Sequence, residues 1–113
     1  MLLDDDRTRL LHMLEAAGEA RGYVASVTRD EFDAQRPLQH SVVRCIEIMG
    51  EAASRLSTEY RTSHDEVPWQ DIVRMRNRLV HAYFDIDLDI VWRTGREELS
   101  VLVSLLETLV DRG

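Results

Sequence analysis

The feature that most restricts the fold is a long apolar stripe of helical period between residues 37 and 61. Leu38, Val42, Cys45, Ile46, Met49, Ala53, Leu56 and Tyr60 recur three and four residues apart, while Arg44, Glu47, Glu51 and Arg55 share the opposite face. A run of this length and period describes one helix with a single buried side, which other helices have to cover. Only two Pro and five Gly interrupt the 113 residues, and there is no repeat or low-complexity tract, so helices should dominate throughout.

The remaining elements are read from their start and stop signals. Asp4, Asp5 and Asp6 complement the positive end of a first helix that should run to about Val27, with Leu10, Leu14, Ala17 and Val24 inward. Thr28 with Glu31 forms a capping box for a short helix that ends near Arg36, before Pro37, and Pro37 then opens the stripe-bearing helix. Pro68 opens a fourth helix with Trp69 in its first turn, ending near Tyr83. Asp87 is the expected N-cap of a last helix over 88–111, which buries Leu88, Val91, Trp92, Leu99, Leu102, Leu106 and Leu109 and leaves Val101, Val103 and Leu105 as surplus apolar surface. The expected architecture is all-α, an up-and-down bundle of four long helices plus one short, with residues 1–113 as a single domain. Ile48 amid the charged face, and Gly50 with Val43 at the stripe's edge, mark a second surface that meets another chain or a neighbouring helix closely.

Several functional classes are excluded at this level. A single Cys cannot form an internal disulfide, and Cys45 lies on the apolar face, where a buried, inert thiol is expected. The start turns acidic too soon for a signal peptide and no apolar run reaches the length of a membrane span, so a cytoplasmic protein is expected. Asp85, Asp87 and Asp89 alternate like the start of a calcium loop, but Ile90 stands where that loop needs Gly and Arg96 where it needs Glu. Glu47 and Glu51 are one turn apart without a Glu-x-x-His partner, and Glu51 to Arg55 is an ordinary ion-pair spacing, so neither a metal nor another cofactor is expected.

The chemistry concentrates in Arg74-Met75-Arg76-Asn77-Arg78-Leu79-Val80-His81-Ala82-Tyr83-Phe84. This stretch is rich in cations and free of carboxylates, in a chain where 21 acids outnumber 14 bases, all of them Arg. On a helical wheel Ile72, Met75 and Leu79 fall together with Tyr83 continuing their line, Arg76 lies about 40° from it, and Arg74, Arg78 and His81 point away. A guanidinium at the edge of a buried stripe is costly unless it is paired or placed where an anion arrives. It snorkels along the stripe, pairs with a Glu of a neighbouring helix or waits for an anion.

Arg76, four residues, His81, one residue, Tyr83, with Asn77 directly after the Arg, resembles the signature of HEPN-domain ribonucleases of the HepT-like toxin family. The run Arg44 to Ala53, the Val67-Pro68-Trp69 step and the continuation Phe84-Asp85-Ile86-Asp87 match the same pattern in order and spacing, so the likeness covers roughly residues 5 to 110. The resemblance implies a homodimer whose two signature segments face each other, and a metal-independent endoribonuclease of the 2′-hydroxyl transphosphorylation type. In it Arg76 and His81 are catalytic, Asn77 and Tyr83 support them, and Arg74 and Arg78 guide RNA phosphates. It further implies a toxin–antitoxin pair in which a nucleotidyltransferase antitoxin transfers AMP to Tyr83.

Residue chemistry fits these roles. An imidazole such as that of His81 can take up or release a proton in general acid–base chemistry, the Arg76 fork matches phosphate oxygens, and a phenol can donate to phosphate or stack on a base. A net charge of −7 opposes indiscriminate RNA binding and favours a narrow substrate, such as an exposed loop or end of a structured RNA. The alternative is a non-catalytic helical module that binds a nucleotide or a nucleotidyltransferase, since fold alone does not decide between them.

Overall fold

The computed structural model describes residues 4–81 and 86–112. Helix α1 (Asp4–Ala25) is followed by the short α2 (Arg29–Ala34) and by α3 (Arg36–Ser54), which carries the long stripe. A second short helix, α4 (Thr58–Ser63), precedes α5 (Trp69–His81), and the chain closes with α6 (Leu88–Arg93), a single π-helical turn (Thr94–Glu98) and α7 (Leu99–Arg112) run together as one rod. The bundle is therefore all-α, with four long helical rods and, among the described residues, no strand.

Its antiparallel layout is pinned at both ends by polar contacts. Asp6, in the first turn of α1, accepts hydrogen bonds from the Ser57 amide (2.9 Å) and hydroxyl (2.7 Å) just beyond the far end of α3. Arg7 reaches the Val110 carbonyl at the end of α7, and Arg96 in the π turn reaches the Val24 carbonyl near the end of α1. So α1 runs against both α3 and α7, and α5 packs on the remaining side of α3.

Local signals held where they are strongest. Thr28 and Glu31 form the reciprocal capping box, and the Asp87 carboxylate accepts from the Asp89 and Ile90 amides. Leu10, Ala17, Val24, Val42, Ile46, Met49, Ala53 and Leu106 are all buried. Phe32 of α2 is fully buried and packs against Trp92 with ring centroids 5.2 Å apart. Burial pushes the Cys45 thiol up to about 11, helped by the neighbouring Glu19 carboxylate, which leaves little of the nucleophilic thiolate near neutral pH.

Two expectations are corrected. The helix expected over 37–61 stops at Ser54, because Ser57 takes an N-cap role: its hydroxyl accepts from the Tyr60 amide at 3.2 Å while donating to Asp6. The cap and the buried Asp6 together outweigh one more turn of α3, so the short helices number two rather than one among the described residues. Val103, expected at the surface, is buried, since it lies four residues after Leu99 and so on the same face. Val101 is left 66% exposed, the most exposed large apolar side chain among the described residues. No described helix is long and apolar enough to cross a membrane.

Candidate functional site

Helix α5 presents its two kinds of arginine to two different surfaces. Ile72 and Leu79 are buried and Met75 half-buried, as the wheel requires, which leaves Arg76 at the edge facing α3 and turns Arg74 and Arg78 outward. The crossing of α5 over α3 is close because Gly50 lies beneath Arg76. A Cβ at residue 50 would stand 2.3 Å from the Arg76 Cβ and 2.7 Å from its Cγ, closer than packed carbons tolerate. Gly50 thus meets a neighbouring helix, one of the two contacts that its place at the stripe's edge left open.

That approach brings Arg76 to Glu51. The Arg76 Nη1 donates to Glu51 Oε2 at 3.0 Å, and the other carboxylate oxygen accepts from Arg55 Nε at 2.8 Å. The Arg76 side chain is only 24% exposed, and its Nε is buried with no hydrogen-bond partner among the described residues. Arg55, hydrogen-bonded to Glu51, holds that carboxyl below the usual range, and the charges of Arg76 and Arg9 add to the effect. Glu47 pairs with Arg44 at 3.3 Å. Both glutamates thus serve as arginine partners, and among the described residues no cluster of His, Cys, Asp or Glu has the makings of a metal site.

Around this pair lies a hollow of about 350 Å³ between α1, α3 and α5, lined by Arg9, His12, Arg44, Glu47, Ile48, Glu51, Ala52, Arg55 and Arg76. Ile48 is 38% exposed, so the apolar residue expected amid the charged face lines the same hollow as Arg76. On the other side of α5 a larger groove of about 560 Å³ runs along α7, floored by Met49, Ile72, Met75, Leu102 and Leu105, with Arg74 and Arg78 on its flank. Arg74 is engaged locally by Asp71 (3.3 Å) and Gln70 (3.2 Å). The larger concavity is mainly apolar. The charge that suits an anion gathers in the smaller one, around Arg76.

Asn77 is exposed on α5, one turn before His81. His81 is the last residue of α5, and its side chain lies outside the described residues, as does the whole of Tyr83. Arg9 and His12 were not singled out from the sequence, and Arg44 was read only as part of the charged face of its helix and of the run that matches the family pattern. The faces of α1 and α3 carrying them were legible, but not that these faces meet Arg76.

The comparisons with known proteins agree on one family. Residues 13–109 match the model described as ribonuclease HepT-like. The chain is 34% identical over 100 residues to "Probable ribonuclease HepT" of Thermococcus cleftensis, covering 85% of this chain and 91% of that one. It is 31% identical over 106 residues to a protein of Caldanaerobacter subterraneus subsp. tengcongensis named, by conjecture, as an RNase, covering 94% and 95% of the two chains. No solved structure gives a significant match.

Proposed function

The chain belongs to the HepT-like ribonuclease family, and from that premise we propose that it is a metal-independent endoribonuclease acting as the toxin of a toxin–antitoxin pair. The observation that carries this reading is Arg76, held three-quarters buried at the edge of an arginine-rich hollow, on the same helix as His81 and at the signature spacing from it.

In the reaction proposed, the 2′-hydroxyl oxygen of one nucleotide attacks the adjacent phosphorus. The O2′–P bond forms and the P–O5′ bond breaks, leaving a 2′,3′-cyclic phosphate and a 5′-hydroxyl. His81 moves the proton, either from the attacking hydroxyl or to the departing 5′-oxygen. Arg76 holds the non-bridging oxygens as charge builds on them, and the step asks nothing of a metal ion. Asn77 orients the imidazole or the phosphate, and Arg74 and Arg78 attract the backbone at longer range. The test is incubation of the purified protein with RNA in chelator, with product ends identified by mass spectrometry. RNA bound but left uncut would favour the non-catalytic module instead.

The active form in this reading is a homodimer with one Arg76–His81 set from each protomer. An interface that brings two Arg76 side chains together passes over the surface around Ile48, so Ile48→Asp should shift the protein from dimer toward monomer. Sedimentation equilibrium that finds only a 13.1 kDa species in the wild type at micromolar concentration would reject the dimer.

Control is assigned to Tyr83. A nucleotidyltransferase partner transfers AMP from ATP to the phenolic oxygen: the O–Pα bond forms as the bond from Pα to the departing pyrophosphate breaks and the phenol gives up its proton, and the attached phosphate then competes with RNA for Arg76. A short tether raises its effective concentration to about millimolar, well above dilute RNA. Tyr83→Phe should retain cleavage and escape inhibition by the co-expressed partner. An inhibited complex whose Tyr83 is unmodified by mass would point to simple occlusion.

A further inference from the structure

We propose that the hollow between α1, α3 and α5 is a binding channel for RNA phosphates flanking the scissile one, with Arg9, Arg44 and Arg55 as contacts and Glu51 as the internal counter-ion that RNA displaces. The inference rests on the proposed ribonuclease function for its ligand, and on geometry for its place.

Four arginines in this hollow face two glutamates, an excess of two positive charges in a protein whose net charge is −7. Like charges massed at a surface repel one another, and exposed ion pairs return little stability, so the cluster is not explained as a stabilising network. The arrangement centres on one carboxylate. Arg55 takes one oxygen of Glu51 and Arg76 the other, while Arg9 acts on it through space. A carboxylate so placed marks where a two-oxygen anion fits between guanidinium forks, and a phosphodiester offers the same two oxygens with a full negative charge. Arg76 also keeps a buried Nε with no partner among the described residues, a donor that Glu51 does not satisfy. Arg74 and Arg78 flank the mainly apolar groove on the other side of α5, so they cannot line the same path.

The test is equilibrium binding of the full-length protein to a fluorescent single-stranded RNA, 2′-O-methylated throughout so that no 2′-hydroxyl can attack, followed by anisotropy across a salt titration. Each phosphate neutralised by a cation contributes about 0.7 to the slope of log affinity against log salt for a single strand. Changing Arg9, Arg44 and Arg55 together to Gln should therefore flatten the slope by roughly two, with circular dichroism unchanged. Arg21→Gln, exposed on α1 at roughly 150° from the hollow-lining face, should leave it as in the wild type. Glu51→Gln, which removes the competing charge, should tighten binding.

Three results would overturn the inference: an unchanged slope in the triple variant, a slope that falls instead with Arg74→Gln and Arg78→Gln, or no salt-dependent binding by the wild type. The ribonuclease reading fails separately. RNA that binds with the expected slopes but is never cut in its unmodified form would leave the channel standing and remove the catalysis.

Discussion

His81→Ala is expected to slow RNA cleavage by about 10² to 10⁴, the usual loss when a positioned acid or base is removed. Arg76→Ala is expected to cost about 10² to 10³, the range for removing one preorganised donor from developing negative charge. Neither effect should arise from unfolding. The Arg76–Glu51 contact is one ion pair at a partly exposed site, and Glu51 keeps Arg55 when Arg76 is lost, so melting temperature should move by only a few degrees. Arg76→Lys separates charge from geometry: an ammonium preserves the attraction for phosphate but cannot fork, so rate should fall while RNA affinity largely survives. The assay is cleavage of a defined RNA in chelator under single-turnover conditions, with RNA affinity measured alongside. If His81→Ala cuts as fast as the wild type, the catalytic assignment is wrong, whatever becomes of the fold.

Substitutions at the glycines should divide by sign. At Gly50, a methyl group meets the Cβ of Arg76 at 2.3 Å, an atom fixed to the backbone of α5 that cannot rotate away, so the α3–α5 crossing has to open. Gly50→Ala should destabilise by about 1 to 3 kcal/mol, the usual cost of overpacking, which for a chain of this size lowers the melting temperature by roughly 4 to 12 °C. Cleavage should fall by more than stability accounts for, because the displaced residue is Arg76. At Gly18 and Gly22 an added Cβ meets nothing within 4 Å, and Ala there should stabilise α1 by about 0.5 to 1 kcal/mol. Thermal melts of the three variants check this directly. A Gly50→Ala protein as stable as the wild type would show that α3 and α5 do not cross so closely.

Much of the fold was legible because it is written locally. The capping box at Thr28 and Glu31, the cap at Asp87 and the stripe of α3 from Val42 to Ala53 each depend on residues within a few positions of one another, and over that span each appears as read. The end of α3 was not legible for the opposite reason. Ser57 interrupts the helix with the help of Asp6, 51 residues earlier in the chain, and helical period carries no trace of that partner.

The candidate site divides along the same line. Sequence by itself determined that Arg76 and His81 share one helix and that Arg76 sits at the edge of its buried stripe, and left open whether the guanidinium snorkels, pairs with a Glu or waits for an anion. Tertiary structure alone decided that the partner is Glu51, that Arg9, His12 and Arg44 join the same hollow, and that Arg74 and Arg78 look onto another groove. The physical reason is that periodicity assigns side chains to a face of their own helix. Which faces meet, and at what height, follows from how the whole core packs, here from one glycine that lets α5 settle onto α3 at Arg76.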